Sequence, residues 1–224
     1  MIKTLARELY PSQHEGPAAL RIMGQETWDV ATLRSMLGIV TNDLVATCIR
    51  GLSIDGDMSR RVTGRDTVLS GFFSSVGIWS HHHVTPDMER RADETLEQLE
   101  LTHLRDRPLS QVSSGEAHRL VIARALVHAP SALVLDEPTT SLDIRAALEL
   151  RDVIRRIAQA GTAIVLVTHH LPDIIPEIGR VILLKRGRIV EDGPKANVLT
   201  TAMMSGLFGV AVAVSESGGY FRLE

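Results

Sequence analysis

Residues 109–143 read LSQVSSGEAHRLVIARALVHAPSALVLDEPTTSLD, and most of the architecture can be predicted from this stretch outward. Ser113 or Ser114 is a suitable N-cap for a helix that runs to His128. Apolar residues lie nearly all round that helix, which is typical of a buried helix rather than an amphipathic one. The apolar run Leu133–Leu135 then predicts a buried strand.

The same alternation of helix and strand continues toward the C-terminus. Apolar spacing over 147–158 predicts a helix that Gly161 terminates. Ala163–Val167 predicts a second buried strand, and the segment 181–190 predicts a β-hairpin around Arg186-Gly187. Continuous apolar strands separated by a helix indicate a parallel sheet that is covered on both faces.

The N-terminal side is less regular. The elements predicted there are an amphipathic helix over 2–10, strands over 20–24 and 37–40, an exposed loop over 50–64, and helices over 68–79 and 86–101. The last of these helices has Thr85 as its N-cap and Pro86 at its first position, where proline is favoured.

Composition excludes several classes of protein. The chain has 224 residues, of which 44% are hydrophobic and 23% charged, so it is not a disordered chain. A net charge of -3 provides no basic field, and we expect no direct contact with nucleic acid. The single Cys48 excludes an intrachain disulfide and a cysteine-based zinc site. We expect a soluble protein of a reducing compartment that meets a membrane only through a partner.

Three polar side chains follow the strands predicted at 133–135 and 163–167. Asp136 and Glu137 follow one strand, and His169 follows the next. Ligands of open α/β sheets bind beyond the carboxyl ends of the strands. One carboxylate there can hold Mg²⁺ while its neighbour polarises a water, and a histidine can order that water or hold a phosphate oxygen. Taken alone, Asp-Glu is more typical of a solvated strand end.

Residues 112–116, VSSGE, open the predicted buried helix. A Ser-Gly segment at a helix N-terminus presents free N–H groups and the positive end of the dipole, which suits an anion. This cap, the buried helix, the Asp-Glu strand, Ser141-Leu142-Asp143 and the later run VLVTHH (165–170) occur in one order at tight spacing. In that order they resemble the ATP-binding cassette (ABC) family of ATPases.

The resemblance implies an α/β fold of the P-loop NTPase (RecA-like) type. It predicts a single ABC ATPase domain over 1–224, with a mainly parallel sheet and an inserted α-helical subdomain at approximately 65–118. Within the family, residues 28–79 and 172–176 look most like the molybdate-type ATPases. The implied ligands are ATP and Mg²⁺.

The resemblance also implies roles for individual residues. The signature motif, which contacts the γ-phosphate of ATP held by the opposite subunit, matches Ser113, Ser114, Gly115 and Glu116. Asp136 matches the residue that supports magnesium, and Glu137 matches the catalytic glutamate that acts on the attacking water.

Three further positions complete the implied site. His169 matches the switch histidine, and Asp143 matches the D-loop aspartate that couples the two sites. Asn42 lies where the Q-loop normally has glutamine, and its side chain is one methylene shorter. His81-His82-His83 is interpreted as a solvated loop, because consecutive side chains do not converge in a helix or strand.

The P-loop pattern G-x-x-x-x-G-K-[ST] occurs nowhere in the 224 residues. Against the family, Met1 falls just after the position where that pattern should end. We therefore expect the N-terminal strands and the P-loop to be missing, with the P-loop strand belonging beside the Asp-Glu strand. Either the start was assigned too late or the chain is a degenerate half. The retained Glu137 and His169 favour the first.

The leading hypothesis is the ATP-hydrolysing subunit of an ABC transporter. Its expected partners are a second ABC subunit and a transmembrane permease, which would hold it at the inner face of the cell membrane in the cytoplasm. One alternative is a non-catalytic half that contributes only its signature motif to a partner. Another is a soluble ABC protein, although residues 43–112 lack the sustained heptads of the genome-maintenance branch.

Overall fold

A parallel sheet of three strands organises the protein. The structure, a computed structural model, describes residues 21–26, 28–50 and 62–224. The predicted helix over 2–10, and residues 51–61 of the predicted loop, lie outside the described residues. The strands β1 (Leu37–Thr41), β2 (Ala132–Asp136) and β3 (Ala163–Val167) lie in the order β1-β2-β3. The predicted parallel α/β arrangement is confirmed.

Helices connect these strands and follow them. The described α-helices are α1 (Val30–Met36), α2 (Asn42–Arg50), α3 (Gly64–Leu69), α4 (Pro86–Gln98), α5 (Ser114–Leu126), α6 (Ile144–Gln159), α7 (Lys195–Val198) and α8 (Thr201–Phe208). Short 3-10 turns cover Ser70–Phe73, Thr102–Leu104, Leu109–Gln111 and Leu171–Asp173. Helices α3, α4 and α5 all lie between β1 and β2 in the chain, in the region where the helical insertion is predicted.

Two antiparallel hairpins complete the C-terminal part of the chain. Strands β4 (Arg180–Lys185) and β5 (Arg188–Pro194) pair across Arg186-Gly187, as predicted, and β6 (Val214–Ser217) pairs with β7 (Tyr220–Leu223). Arg186 and Gly187 have φ angles of 52° and 75°. Two consecutive positive φ angles are what a type I′ hairpin turn requires.

The main core lies between α5 and the middle strand. Leu120, Val121 and Ile122 of α5 are fully buried, and Leu133 and Leu135 of β2 are buried against the same cluster. A helix and a strand that are both apolar on more than one side need cover on more than one side. The sequence prediction that both are buried is confirmed.

The prediction that β3 is equally buried is wrong for the described residues. Ala163 is exposed and Val165 is 40% exposed. The reason is position, because β3 pairs only with β2 in the described sheet and forms one of its edges. Since β2 is paired along both of its sides, a further strand has no place beside it. The expected location of a P-loop strand next to the Asp-Glu strand is therefore also wrong.

Two local predictions fail on the N-terminal side. The described part of the predicted strand 20–24 is a tight turn, in which Ile22 and Gln25 exchange backbone hydrogen bonds of 2.9 and 3.0 Å. The helix predicted over 68–79 ends early, as α3 passes into a 3-10 turn at Ser70 and stops at Ser74, which has a φ of 51°. Small polar residues and glycine in this segment weaken helix propensity.

Gly64 permits a close contact that we expect to be sensitive to substitution. A Cβ added at Gly64 would lie 2.3 Å from the backbone oxygen of Leu104, which has no freedom to move aside. We expect Gly64→Ala to lower the free energy of unfolding by about 1–3 kcal/mol, measured by urea denaturation. Gly206→Ala is the matched control, because nothing lies within 4 Å of its added methyl. An unchanged midpoint for Gly64→Ala would contradict the packing of α3 described here.

Candidate functional site

The parallel register brings the predicted polar side chains to one edge of the sheet. Thr41 of β1 and Val167 of β3 flank Asp136, the last residue of β2. Glu137 directly follows β2, and its N–H donates to the oxygen of Val167 over 2.8 Å. The carboxyl ends of all three strands therefore meet where the sequence places the candidate catalytic residues.

Glu137 and His169 are in direct contact. Nδ1 of His169 lies 2.7 Å from Oε1 of Glu137. The side chain of Glu137 is 25% exposed, whereas that of His169 is 64% exposed. The other carboxylate oxygen, Oε2, is buried and has no hydrogen-bond partner among the described residues. The pair thus joins a largely covered carboxylate to an accessible imidazole.

Asn42 also reaches this edge, but through the backbone of Glu137. Its Nδ2 donates to the carbonyl oxygen of Glu137 over 3.3 Å, and the N–H of Thr140 donates to the same oxygen over 3.1 Å. Glu137 has a φ of 49°, which is uncommon for a residue other than glycine. Asn42 and Thr140 together hold this left-handed residue, and hence its side chain, in place.

Asp136 lies in surroundings that favour a cation. Burial raises the pKa of its carboxyl, and the negative charges of Glu137 and Asp43 raise it further. Carboxylates that repel one another in this way are stabilised when a divalent ion lies between them. Oε2 of Glu137 has no hydrogen-bond partner among the described residues, so it is a further oxygen that could bind the ion. The donor set therefore fits Mg²⁺, which prefers oxygen ligands.

The predicted signature residues form the start of α5. Ser113 is the N-cap: its Oγ accepts from the N–H of Glu116 over 3.2 Å and donates to Oε2 of Glu116 over 2.8 Å. The N–H of Ser113 donates to the same carboxylate oxygen over 2.7 Å, and this bond is the largest cause of the lowered pKa of Glu116. Ser113 and Glu116 thus form a capping box.

Gly115 brings a second helix N-terminus alongside the first. A Cβ added at Gly115 would lie 2.9 Å from Cβ of Ala146, in the first turn of α6. Asp143 caps α6, since its Oδ1 accepts from the N–H of Ala146 over 2.8 Å. The structure therefore places Asp143 close to the signature segment. No hydrogen bond or ion pair between described residues joins Ser113–Glu116 to Glu137 or His169.

Asp173 is a residue of this site that sequence reasoning missed. It is only 5% exposed, and its Oδ2 accepts from the hydroxyl groups of Thr139 and Thr168. Thr139 lies two residues after Glu137, and Thr168 immediately precedes His169. Asp173 therefore ties together the loops that carry the two candidate catalytic side chains. The sequence signal was weak: an aspartate after Leu171-Pro172 is usually a surface turn residue.

Comparison with known proteins adds a family to this geometry. The family profile described as "ABC transporter" matches residues 2–140. This chain belongs to the ABC transporter family. It is an ATP-binding domain of that family, and the predicted P-loop NTPase fold is confirmed.

Relatives from different import systems match the chain. The hemin import ATP-binding protein HmuV of Bradyrhizobium diazoefficiens is 30% identical over 98% of this chain and 76% of its own length. The molybdenum import ATP-binding protein ModC of Mycobacterium tuberculosis is 43% identical, over 53% of this chain and 32% of its own length. The chain thus spans about three quarters of one relative and one third of the other. Resemblance to the molybdate-type subgroup stays a prediction.

A solved structure supports the same fold. CbiO1 from Clostridium perfringens, part of the ABC transporter complex CbiONQ, superposes with a TM-score of 0.63 at 22% identity. The match covers 91% of this chain and 74% of that one.

In the described part of the chain, no helix combines the length and the apolar character needed to cross a bilayer.

The buried hydrogen bonds of Asp173 lead to a stability prediction. Asp173→Ala leaves the hydroxyl groups of Thr139 and Thr168 without their shared acceptor. We expect the free energy of unfolding to fall by about 1–3 kcal/mol, because buried polar groups are left unpaired. Asp192→Ala is the control: Asp192 pairs with Arg180 at the surface, where solvent screens the ion pair, so its removal should change stability much less than Asp173→Ala does. Equal losses in chemical denaturation would show that Asp173 is an ordinary surface acid.

Proposed function

We propose that this chain is the ATP-binding and ATP-hydrolysing subunit of an ABC transporter and that it energises transport through a membrane permease. The observation that carries the proposal is the 2.7 Å contact between Glu137 and His169 beside Asp136 at the carboxyl edge of the sheet. Family membership supports the nucleotide, and this edge is where α/β sheets bind their ligands.

On this proposal, Asp136 and Glu137 have different roles in ATP hydrolysis. Asp136 would hold Mg²⁺, which on binding neutralises charge on the phosphates of ATP. Glu137 would orient the attacking water and accept its proton, as a general base must lie within hydrogen-bond reach of the proton that it takes. His169, held against Oε1 of Glu137, is exposed enough to meet a phosphate oxygen from outside the sheet.

The start of α5 would serve a different nucleotide. Its first-turn N–H groups at Ser114 and Gly115 have no acceptor within the helix, and they point toward an anion that approaches along the helix axis. Ser113 adds a hydroxyl there, while Asp143 lies alongside through the contact between Gly115 and Ala146. Because the family resemblance puts this motif against ATP of the opposite subunit, the anion here would be a γ-phosphate held by a second ABC subunit.

This arrangement has consequences for the assembly. We propose a dimer of ABC subunits in which residues 65–118 form the helical subdomain of a single ABC domain spanning 1–224. The permease would hold the dimer at the cytoplasmic face of the membrane. Import systems for hemin and for molybdenum both contain relatives of this chain, so the proposal extends to the class of transporter and to no particular cargo.

Replacement of Glu137 tests the catalytic assignment. Because the sequence contains no G-x-x-x-x-G-K-[ST], the assay uses the chain extended at its N-terminus with a P-loop strand. We expect Glu137→Gln to lower steady-state ATP hydrolysis by roughly 10²–10⁴-fold, since glutamine cannot accept the proton. Nucleotide affinity should change little, because the phosphate cradle is intact.

Glu97→Gln is the matched control, an exposed glutamate of α4. It should hydrolyse ATP at the rate of the unsubstituted chain. Hydrolysis by Glu137→Gln at the rate of this control would refute the assigned role of Glu137.

A second candidate function keeps the role of the signature motif and removes hydrolysis by this chain. On this hypothesis the chain contributes only its signature motif to ATP that is held by a P-loop-bearing partner. Ser113 is then essential, whereas Glu137 is dispensable. The retained contact between Glu137 and His169 favours the hydrolytic subunit over this alternative.

Mixing two inactive variants separates the possibilities. In the extended chain, we expect Ser113→Ala and Glu137→Gln each to be inactive alone and to regain hydrolysis when combined. A hybrid dimer then has one site with an intact signature motif from one subunit and an intact Glu137 from the other. Thr85→Ala is the control for the loss of a helix cap, because it removes the N-cap of α4 far along the chain from the signature.

The outcomes are distinct. No recovery of hydrolysis on mixing would argue against a site shared between subunits. If Ser113→Ala alone abolishes activity with a P-loop-bearing partner while Glu137→Gln retains it, the chain acts as a signature donor only.

A further inference from the structure

The edge that carries Glu137 and His169 also contains a residue to which the proposed function gives no role. His170 follows His169, and their ring centroids lie 3.9 Å apart. A carboxylate oxygen of Glu137 and one ring nitrogen from each histidine all lie within 4.8 Å of one another. Within the described residues, this is the group of histidine, cysteine and acidic side chains that meets such spacing.

The backbone explains how two consecutive histidines can face the same point. Residues 168–170 belong to neither a helix nor a strand, so their side chains need not diverge. The N–H of His170 donates to Oγ1 of Thr168 over 2.9 Å, and the oxygen of His170 accepts from the N–H of Asp173 over 3.1 Å. The same Thr168 hydroxyl donates to buried Asp173. The bend that turns both rings toward Glu137 is thus fastened at each end.

We propose that Glu137, His169 and His170 form a binding site for a divalent transition-metal ion, with Zn²⁺ as the representative. Zn²⁺ takes imidazole nitrogen and carboxylate oxygen at about 2.0–2.2 Å, and open sites have three protein ligands with a water in the fourth position. Tetrahedral coordination at that length separates ligand atoms by about 3.3 Å. The ligand atoms of Glu137, His169 and His170 lie within 4.8 Å of one another, and the closest pair is 2.7 Å apart. Small rotations of the side chains would bring these atoms to the tetrahedral separation.

Exposure makes these movements feasible. The His169 side chain is 64% exposed and His170 is also exposed, so both rings can rotate without disturbing the core. Glu137 is held by its backbone and provides the fixed ligand. The nearby carboxylate of Asp136 adds negative charge that attracts a cation.

The chemistry of the ligands separates this ion from the magnesium of ATP hydrolysis. Imidazole nitrogen suits zinc, copper and nickel, whereas Mg²⁺ prefers carboxylates, phosphates and water. Zinc on these three residues would withdraw Glu137 and His169 from the attacking water and from phosphate. Bound zinc would therefore inhibit hydrolysis; only this consequence rests on the proposed function, and zinc binding itself does not.

A second histidine group in the chain provides an internal comparison. His81 and His82 are also adjacent, with ring centroids 4.5 Å apart. His82 is engaged elsewhere, because its Nδ1 accepts from the N–H of Trp79 over 3.1 Å and its ring stacks on Phe73. No carboxylate joins His81 and His82 at ligand spacing in the described residues. Adjacent histidines alone do not make a site here.

The test is calorimetric titration of the 224-residue chain with Zn²⁺ in the absence of nucleotide. We expect saturable, equimolar binding to the unsubstituted chain. His170→Ala, His170→Asn and Glu137→Gln should each weaken it by more than tenfold, since even outer-shell changes weaken metal sites by about 10–100-fold. His81→Ala is the control and should bind as the unsubstituted chain does. Unfolding midpoints establish that each variant is folded.

Three outcomes would overturn the proposal. They are the absence of equimolar binding to the unsubstituted chain, unchanged affinity in both His170 variants, and displacement of zinc by Mg²⁺ at equal concentration, which would show oxygen-only ligation. Because nucleotide is absent, none of these outcomes bears on ATP hydrolysis. Conversely, failure of the Glu137→Gln hydrolysis assay would leave zinc binding untouched.

Discussion

The pairing of β2 with a parallel neighbour on each side is the constraint on which the site depends. It sets Thr41, Asp136 and Val167 at the same level of the sheet. Residues that follow these three positions then emerge together, although 95 positions in the chain separate Asn42 from Glu137. Without this register, the polar ends of the strands would be isolated surface groups.

Buried hydrogen bonds hold together the loops that the strand register brings near each other. The sheet brings the loops after β2 and β3 near each other, and Asp173 fastens them through Thr139 and Thr168. A buried carboxylate is costly unless its oxygens are satisfied. Here the acid is satisfied by loops that carry Glu137 and His169, so its hydrogen bonds link these two loops to each other. The same fastening bends the chain so that His170 faces Glu137.

The N-termini of two helices form a second polar feature of the domain, separate from the carboxylates at the sheet edge. α5 and α6 begin side by side because Gly115 has no side chain to hold them apart. Each helix is capped by its own side chain, Ser113 in one case and Asp143 in the other. The caps satisfy some of the first-turn N–H groups and leave others to an anion. The sheet edge with Asp136 and Glu137 and the adjacent N-termini of α5 and α6 thus belong to the same domain. No hydrogen bond between described residues joins Ser113–Glu116 to Glu137 or His169.

The class of fold, the buried helix α5, the strands β1 and β2, and the order of the motifs could all be predicted from the amino-acid sequence. These follow from local apolar periodicity and capping, which depend on neighbours within one or two turns. The sequence did not determine that β3 lies at an edge of the described sheet, that residues 21–25 form a turn, or that Asp173 is buried. Each of these depends on which distant residues cover a segment. The convergence of His169 and His170 on Glu137 became evident from the three-dimensional arrangement alone, because a bend held by Thr168 and Asp173 leaves no periodic pattern in the sequence.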